Sequence, residues 1–457
     1  MSKLYKLFYV LSLLALLTAC TNPFRGMVAP NLIRDTRPNI LLIITDDQRI
    51  GTMEYMPETQ KLIFDQGVEF AQGFDTTPFC CPSRSSILTG MYAHNHGVLV
   101  NEKTLKFRTL VNDLHENGYY TGLIGKYLNS WKGAQRPEFD YWVSFYRGDS
   151  VYYSPDLNVN GVWGPREGYI TYLFRDYMLD FLDKAAWSRK PFLMVLSFNA
   201  PHAPTTPANE DLELFQDLEP HRPPSFNEED ISDKPASITG KDFLTEKKIT
   251  LIDKDRRNQI LTLQPVDRSI AAIIQKMEAM GTLDNTMIIY LSDNGKHWGE
   301  HRLDGKSSAY EESIRVPFAM RYPPLIPTPY VENRLVANID IAPTIYQLAG
   351  LPIPEKVDGI SMFKLFDGKS DWRTSLLLEA WPSRGHWSAI RTGDSIYIET
   401  VDDVSEFYDL TTDPFELENA INLPQYQAEI AELKAILQEA IKPRDVEKFR
   451  VTPIPQK

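Results

Sequence analysis

The sequence predicts an α/β fold with a large, mostly parallel central sheet flanked by helices, and a smaller C-terminal α+β subdomain with a short antiparallel sheet. Three observations predict this fold. Four continuous apolar runs end in polar residues, segments with helical periodicity lie between them, and short strand-like runs replace this pattern after about residue 370. Continuous apolar runs are typical of strands that helices cover on both faces.

The first 19 residues predict an export signal. MSKLYK carries two lysines, and the largely apolar run LFYVLSLLALL that follows has eleven residues, which is too short for a bilayer span of roughly 20 residues. Leu17–Cys20 resembles the lipobox of bacterial lipoproteins, which implies a signal peptide over 1–19, lipidation of Cys20 and a linker over 20–35. The protein is then exported and lipid-anchored to a bacterial membrane, facing the periplasm or the cell surface. The alternative is a plain cleaved signal with an incidental cysteine.

The composition predicts a folded, acidic protein. The chain has 457 residues, of which 43% are hydrophobic, so it can bury a large core. Its formal net charge is -13, and removal of residues 1–19 takes away Lys3 and Lys6 and brings it to -15. This balance argues against nucleic-acid binding, which requires a basic face, and leaves the lipid anchor as the one contact with a membrane. An anionic substrate therefore needs a local pocket of positive charge.

Polar residues follow each of the four apolar runs that we predict to be buried strands. The runs are NILLIITDD, YYTGLIGK, FLMVLSFNAPH and TMIIYLSDN, and the polar residues at their ends are Asp46 and Asp47, Lys126, His202, and Asp293 and Asn294. In open parallel sheets, ligands bind beyond the carboxyl ends of the strands. We therefore expect these side chains to form one site.

Helices are predicted between the strands. TLVNDLHENG, over 109–118, and VDRSIAAIIQKMEAMG, over 266–281, both have helical spacing of apolar residues and end in glycine. The segment 203–250 is rich in Pro, Asp and Glu and lacks periodicity, so it is predicted to be a surface insertion that borders the site.

The C-terminal part is predicted to be a separate subdomain over 371–457, after a catalytic domain over 36–370. SLLLEAW, WSAIRTG and SIYIETV have the composition of strands, and PQYQAEIAELKAILQEAI that of an amphipathic helix. The apolar face of this helix is predicted to contain Ile430, Leu433, Leu437 and Ile441.

Four of the strand-end residues are candidate metal ligands. Asp46, Asp47, Asp293 and Asn294 offer hard oxygen atoms, which favour calcium or magnesium over zinc. The alternative is that these acids cap helices or bind water. Two pairs after matching strands make a metal site the stronger hypothesis.

The stretch FCCPSRSSILTG contains two of the three cysteines, Cys80 and Cys81. Two cysteines cannot build a structural zinc site, and a bridge between neighbours in the chain is strained. The residues CCPSR match the C-x-P-S-R signature, and by this motif the chain resembles the type I, formylglycine-dependent sulfatases. In this resemblance Cys80 takes the first position and Cys81 the variable one. A vicinal disulfide or two buried thiols are the alternatives.

The resemblance covers residues of about 36 to 420 and implies an alkaline-phosphatase-like sandwich. It implies that a maturation enzyme oxidises Cys80 to formylglycine, whose hydrate attacks sulfur with one hydroxyl and then expels sulfate with the other. By the same resemblance, calcium, or magnesium in its place, is held by the four oxygen ligands and position 80. Arg84 would fix the formylglycine, while Lys126, His202 and Lys306 would contact sulfate, with His202 or Lys126 as general acid. A helix after the CPSR turn would favour the anion further, and His96 is expected to support the site without touching the substrate.

One departure from the family pattern bears on the substrate. Many sulfatases have GKxH where this chain has Gly125–Leu128, so a histidine is absent and His297 is the first candidate to replace it. GKYLN, CCPSR and HNHGV together resemble the N-acetylglucosamine-6-sulfatase branch, which implies exo-acting removal of a 6-O-sulfate from a sulfated carbohydrate. Sugar contacts are predicted for Arg384, His386 and Trp387.

Three other functions remain alternatives. The first is a sulfatase for another polysaccharide, such as ulvan or carrageenan. The second is a phosphoester or phosphonate hydrolase of the same superfamily, because a formylglycine and a divalent metal serve either tetrahedral anion. The third is an inactive lipoprotein that binds sulfated glycans.

Overall fold

The apolar runs of the sequence form the strands of the fold. The computed structural model describes residues 35–367, 371–383 and 385–451, so the predicted signal peptide, Cys20, most of the linker and Arg384 lie outside the described residues. The strands in this part are β1 (Asn39–Thr45), β2 (Val68–Phe70), β3 (Gly73–Phe74), β4 (Tyr120–Gly125), β5 (Tyr141–Ser144), β6 (Asp156–Val159), β7 (Val162–Pro165), β8 (Phe192–Ser197), β9 (Thr286–Ser292), β10 (His297–Trp298), β11 (Asp304–Gly305), β12 (Phe318–Arg321), β13 (Tyr330–Glu332), β14 (Val336–Ala337), β15 (Ser375–Ala380), β16 (Trp387–Thr392), β17 (Ser395–Thr400) and β18 (Glu406–Asp409).

The central sheet has the strand order β13, β2, β12, β9, β1, β8, β4, β5, β6, β7 among the described residues. Its middle strands β9, β1, β8, β4 and β5 are all parallel, with Ile43 of β1 opposite Leu196 of β8 and Tyr290 of β9. The flanking strands β12 and β6 are antiparallel to their neighbours. The four strands predicted from apolar runs are therefore adjacent, and their carboxyl ends meet at one edge of the sheet, which confirms the predicted fold class.

Helices cover both faces of this sheet. The α-helices among the described residues are α1 (Pro57–Leu62), α2 (Cys80–Thr89), α3 (Ala93–His96), α4 (Leu110–Glu116), α5 (Ile170–Ser188), α6 (Ala236–Thr239), α7 (Glu246–Ala279), α8 (Glu311–Ile314), α9 (Ile341–Leu348), α10 (Phe363–Phe366) and α11 (Gln427–Ala440). Strand β1 shows how the two layers form, because its alternate residues face opposite sides. Leu42 packs in one apolar cluster with Ile87 of α2, whereas Leu41 packs in another with Phe174 of α5.

Helix α7 begins about twenty residues earlier than the sequence predicts. It starts at Glu246 and runs through Pro265 to Ala279, and the Thr245 hydroxyl accepts a hydrogen bond from the N–H of Lys248 at its N-terminus. The predicted insertion therefore ends before residue 250. Its first part, over 203–245, contains one four-residue helix, α6, and exposes Leu212, Leu214 and Phe243.

The C-terminal segment forms an antiparallel sheet of β15, β16, β17 and β18, with α11 packed on it. Ile430, Leu433 and Leu437 of α11 are buried, as predicted. The prediction is wrong for Ile441, which lies just after the helix and is 38% exposed. Across the described residues, every helix is too short or too polar to cross a membrane.

Candidate active site

The carboxyl ends of β1 and β9 bring the four predicted metal ligands together. Asp46, Asp47, Asp293 and Asn294 are all buried. The Asn294 side-chain amide donates to Asp47 Oδ1 at 2.7 Å, and the Asp47 N–H donates to Asp293 Oδ1 at 3.2 Å. The parallel register of the two strands therefore produces a compact group of oxygen atoms beyond the sheet.

Cys80 faces this group from the first turn of α2. Its Sγ lies 3.6 Å from Asp46 Oδ1 and 2.8 Å from Lys306 Nζ. All ten residues of α2 are buried, and the helix begins at Cys80 itself, where the sequence led us to expect a start after the CPSR turn. Cys81 points the other way, with its Sγ 3.8 Å from Ser130 Oγ. Both cysteines are free thiols, so the structure contains no vicinal disulfide.

Arg84 lies one helical turn after Cys80 and connects three strand ends. Its Nε donates to Asp293 Oδ2 at 2.7 Å, and one terminal nitrogen donates to Ser197 Oγ at 2.5 Å and to the Lys126 carbonyl at 3.1 Å. Charge-assisted bonds in a buried site hold a side chain firmly. Arg84 therefore fixes the start of α2 against β9, β8 and β4.

One buried lysine, Lys126, and one partly buried lysine, Lys306, place positive charge among the acids. Lys126 Nζ donates to Asp46 Oδ2 at 2.5 Å. Lys306 Nζ donates to Asp47 Oδ1 and, at 3.2 Å, to Asn294 Oδ1. Burial would lower the pKa of Lys306, but Asp47 and the other acids outweigh it and raise that pKa well above its usual value. Both lysines are therefore cationic at neutral pH.

His202 lies on the open side of the site. Its side chain is 26% exposed, and its Nε2 is 3.9 Å from Asp47 Oδ2. Its Nδ1 lies 2.7 Å from the Ala203 carbonyl, which can only accept, so Nδ1 carries a proton. Nε2 is therefore the nitrogen that faces Asp47 and the open side of the site.

The charges of the site control the protonation of its acids and of the thiol. Burial would raise the pKa of Asp46, but Lys126, His202 and Arg84 hold it well below its usual value. Burial also raises the pKa of the Cys80 thiol to about 12, although Lys126 and Lys306 oppose this. Because the thiolate is the reactive form of cysteine, the unmodified side chain is a poor nucleophile at neutral pH.

The donor set fits a hard divalent cation. Ligand atoms of Asp46, Asp47, Cys80 and His202 lie within 4.8 Å of one another, and the neighbouring Asp293 and Asn294 add further oxygen atoms. The ammonium group of Lys306 already places one positive charge between Asp47, Asn294 and Cys80. Carboxylate and amide oxygens are the ligands that calcium and magnesium prefer.

The remaining predicted residues lie in different surroundings. His297 is fully buried, with its Nε2 2.7 Å from Ser308 Oγ, so it does not line the open side of the site. His96 is also buried and bonds Ser86 and the Val98 N–H, as expected of a supporting residue. His386 is exposed. Trp387 donates to the Ser307 carbonyl at 2.9 Å and lines, together with Lys306, a cavity of about 480 Å³.

Asp75 is a site residue that the sequence analysis missed. It follows β3, is fully buried, and neither of its carboxylate oxygens has a hydrogen-bond partner within the described part of the chain. Burial and the neighbouring Asp293 raise its pKa well above the usual value. Strand β3 has only two residues, so no apolar run marks the position of this acid.

Comparisons with known proteins agree with this geometry. The sulfatase family model matches residues 38–351, and the model for the C-terminal part of N-sulphoglucosamine sulphohydrolase matches residues 299–443. The N-acetylglucosamine-6-sulfatase of Homo sapiens is 33% identical over 374 residues, which cover 75% of this chain and 67% of that protein. An extracellular sulfatase homologue of Caenorhabditis elegans is 36% identical over 377 residues, and the chain spans only 53% of its length.

A solved structure has the same fold. It is described as a complex with its substrate D-glucosamine-2-N,6-O-disulfate, and it matches with a TM-score of 0.81 and 25% sequence identity over 88% of this chain and 97% of that one. The family model covers more than half of the chain, and the matched region contains the strand-end acids, Cys80, Arg84 and both lysines. The chain therefore belongs to the sulfatase family.

Proposed function

We propose that the protein hydrolyses sulfate esters of carbohydrates, using a formylglycine made from Cys80 and a divalent cation, calcium in the first place. The observation that carries the proposal is the position of Cys80. Its side chain lies at the start of a buried helix, next to Lys306 and to the carboxylates that would bind the cation. An anionic group transferred to this position would lie beside the Lys306 ammonium group and the bound cation.

The residues of the chain divide the chemistry between them. The cation, when bound, polarises the sulfate group and lowers the pKa of the attacking hydroxyl. Formylglycine supplies that hydroxyl and allows sulfate to leave without a second nucleophile. Arg84 orients position 80, Lys126 and Lys306 compensate the charge of the sulfate oxygens, and His202 donates a proton from Nε2 to the leaving sugar oxygen.

We propose 6-O-sulfated N-acetylglucosamine-type residues at a chain end as the substrate. The cavity beside Lys306 has a volume of about 480 Å³, which suits a small number of sugar units and exo action. Arg384, His386 and Trp387 remain the proposed sugar contacts. The names of the human relative and of the substrate in the solved complex support this choice.

We also propose the cellular setting and the division of the chain. Residues 1–19 act as a lipoprotein signal, Cys20 carries the lipid, and a formylglycine-generating enzyme acts on Cys80. Residues 36–370 form the catalytic domain and 371–457 the C-terminal subdomain. The export motif in the first 20 residues supports this setting.

The paired alanine variants of the two neighbouring cysteines test the function. Cys80→Ala removes the nucleophile, so sulfate release from N-acetylglucosamine 6-sulfate should fall at least about 10³-fold. Cys81→Ala is the matched control and should keep most of the activity, because Cys81 points toward Ser130. Equal losses in both variants would contradict the assignment of the nucleophile.

The same assay separates the alternatives. Matured protein is given 6-sulfated and 4-sulfated sugars, sulfated ulvan and carrageenan oligosaccharides, and the matching phosphate esters at equal concentration. Faster turnover of phosphate esters would refute the sulfatase proposal, and faster turnover of the algal sugars would refute the proposed sugar. Mass spectrometry of the Cys80 peptide that finds only unmodified thiol in the native host would favour a binding protein.

A further inference from the structure

A second cluster of potential metal ligands lies outside the site described above. It consists of His301, in the turn between β10 and β11, Glu312 of α8, and Glu416, in the segment after β18. One ligand atom from each of these three side chains lies within 4.8 Å of the other two. His297 adjoins the cluster, with its Nδ1 3.9 Å from Glu312 Oε2. We refer to these four residues as the HEHE cluster.

Each member of the HEHE cluster has one buried atom without a hydrogen-bond partner among the described residues. These atoms are His297 Nδ1, His301 Nε2, Glu312 Oε2 and Glu416 Oε1. Both histidines are fully buried and Glu416 is 1% exposed. Buried polar atoms normally have a partner, and an unsatisfied one is costly. Three of these atoms lie within 4.8 Å of one another, and His297 Nδ1 adjoins them at 3.9 Å from Glu312 Oε2, which indicates a missing common partner.

The outer contacts of the histidines are compatible with lone pairs directed to the cluster, and for His301 the contact fixes the lone pair. His301 Nδ1 is 2.6 Å from Glu228 Oε2, so Nδ1 donates and the lone pair is on Nε2. His297 Nε2 is 2.7 Å from Ser308 Oγ, a hydroxyl that can accept or donate. When Nε2 donates, the lone pair lies on Nδ1. Burial lowers the pKa of both imidazoles to about 3, so both are neutral. A histidine bonded to a carboxylate through its other nitrogen is the usual arrangement of a metal ligand.

The two acids of the HEHE cluster lack the cations that neighbouring acids have. Glu311 is paired with Arg391 at 2.8 Å, and Glu300 with Arg49 at 2.7 Å. Within the described part of the chain, no lysine or arginine lies within 4.0 Å of the carboxylates of Glu312 and Glu416. Glu416 Oε2 accepts from the Glu311 N–H at 3.0 Å, which leaves Oε1 directed to the cluster. Burial and nearby acids raise the pKa of Glu312 to about 8.

We propose that the HEHE cluster binds a zinc ion through His297 Nδ1, His301 Nε2, Glu312 Oε2 and Glu416 Oε1. Two imidazoles and two carboxylates form the mixed nitrogen and oxygen set of a four-coordinate zinc site, whereas calcium takes oxygen ligands. Zinc ligand atoms lie about 3.4 Å apart in a tetrahedron with bonds of roughly 2.1 Å. The ligand atoms of His301, Glu312 and Glu416, which lie within 4.8 Å of one another, therefore need to approach by up to about 1.4 Å.

The proposed zinc ion connects the C-terminal segment to the active site without touching the substrate. Glu416 comes from the C-terminal segment. Glu312 lies in α8, which contacts the loop after β9 that carries Asn294 and the loop after β11 that carries Lys306. The Ser313 carbonyl accepts from the Gly295 N–H, next to Asn294, and the Ser313 hydroxyl accepts from the Ser307 N–H, next to Lys306, both at 2.9 Å. The ion would therefore position the segments that carry Asn294 and Lys306, whatever reaction the protein catalyses.

Zinc retention by the full chain tests the proposal independently of activity. The chain carries Cys80→Ser, so that no thiol can bind zinc at the first site, and it is kept in millimolar calcium to occupy the oxygen ligands there. After addition of zinc and gel filtration, mass spectrometry of the metals should find one zinc per chain. His301→Gln and Glu416→Gln should each reduce the retained zinc at least tenfold.

Glu406→Gln is the matched control. Glu406 is a buried acid nearby that bonds the hydroxyls of Tyr310 and Tyr408 and not the cluster, so this variant should retain the zinc. No zinc in the parent chain, or full zinc in His301→Gln and Glu416→Gln, overturns the proposal. If those variants fail to fold, X-ray absorption spectroscopy of the zinc-loaded parent chain identifies the ligands of the bound zinc and tests the proposal. Scattering from two imidazoles and no sulfur supports the site, and fewer than two imidazoles overturns it, because the first site offers only His202.

Discussion

At the scale of single residues, Lys306 is the cation that contacts position 80. Its Nζ lies 2.8 Å from Cys80 Sγ and also bonds Asp47 and Asn294. Loss of a preorganised donor to the transferred group typically lowers kcat by about 10²- to 10³-fold, and we expect this from Lys306→Gln in the sulfate-release assay. Lys296→Gln is the control, since Lys296 bonds Asp255 at 2.7 Å. A loss of less than tenfold in Lys306→Gln would contradict the proposed role.

Lys356 gives a prediction about stability and pH. Its side chain is 4% exposed, its Nζ donates to the Arg108 carbonyl at 2.5 Å, and burial lowers its pKa to about 8. The unfolded chain keeps this proton up to a pH of about 10.4. As the pH rises from about 8 to about 10.4, the unfolded state binds more protons than the folded state, so this lysine stabilises the fold increasingly.

We therefore expect the free energy of unfolding of the wild type to rise relative to that of Lys356→Met by up to about 3 kcal/mol over this pH range. Urea unfolding near neutral pH and near pH 10.4 measures the difference. Lys364→Met, the same substitution at an exposed lysine, is the control. A constant difference between the wild type and Lys356→Met would show that Lys356 keeps its charge when buried.

The sequence analysis found the residues that follow long strands and missed those that follow short ones. Asp46 and Asp293 come after seven-residue apolar runs, which mark them as strand ends. Asp75 follows a two-residue strand, and Glu416 lies in a loop, so neither has a local signal. His297 could be named as a candidate from its motif, but only the packing of α8 and the C-terminal segment shows that it is buried.

At the scale of elements, long and buried helices and strands could be predicted from the sequence, whereas short ones could not. The parallel strands are buried on both faces and therefore form continuous apolar runs in the sequence. Helix α11 is buried on one face and therefore has apolar residues at helical spacing. Both patterns allow a prediction. Strands such as β12 and β13 have four and three residues, too few for a pattern. The helical spacing of apolar residues predicts α7 only from residue 266. A proline normally ends a helix, whereas here the helix begins at Glu246 and continues through Pro265.

Helix α2 gives a prediction about its C-terminus. Gly90 ends this helix with a φ of 71°, and a Cβ there would lie 2.9 Å from Val357 Cγ1 and 3.1 Å from Ala342 Cβ. Gly97 ends α3 with a φ of 74°, and in the described part of the chain no atom lies within 4 Å of such a Cβ. The two glycines therefore share a backbone conformation and differ in packing.

We expect Gly97→Ala to lower the free energy of unfolding by about 1 kcal/mol, through backbone strain alone. Gly90→Ala should cost at least about 1 kcal/mol more, because the added methyl group also overpacks the contact with α9. Urea unfolding of the two variants measures both effects. Equal losses would show that the surroundings of Gly90 relax without cost.

At the scale of the whole molecule, one apolar cluster joins the C-terminal sheet to the rest of the described chain. It contains Phe74, Ile314 and Ile339 together with Leu378 and Ala389 from β15 and β16. Arg373 adds a buried ion pair to Asp340 at 2.5 Å. The two predicted domains therefore share a core, although the composition changes near residue 370.

We expect the protein to unfold in a single cooperative transition. Parts that share buried apolar surface lose their stability together, so the calorimetric and van't Hoff enthalpies should agree. A chain that ends at residue 373 should fail to fold, since it would expose the cluster around Phe74. A separate transition for the C-terminal sheet would instead support two independent domains.

The fold class could be predicted from the sequence because it depends on features repeated along the chain. Four apolar runs with helices between them are sufficient to indicate a parallel sheet. The strand order and the shared core depend on contacts between distant residues, such as Phe74 with Leu378. The spacing of apolar residues along the chain does not show which distant residues contact one another.

Because α2 is buried, its first residue can be modified only before the protein folds. Cys80 is 1% exposed and begins a helix whose residues are all buried. An enzyme that oxidises this thiol needs access to a side chain that the folded protein keeps buried. The modification must therefore precede the folding of the core around α2. A molecule that folds before it is modified keeps an unmodified thiol.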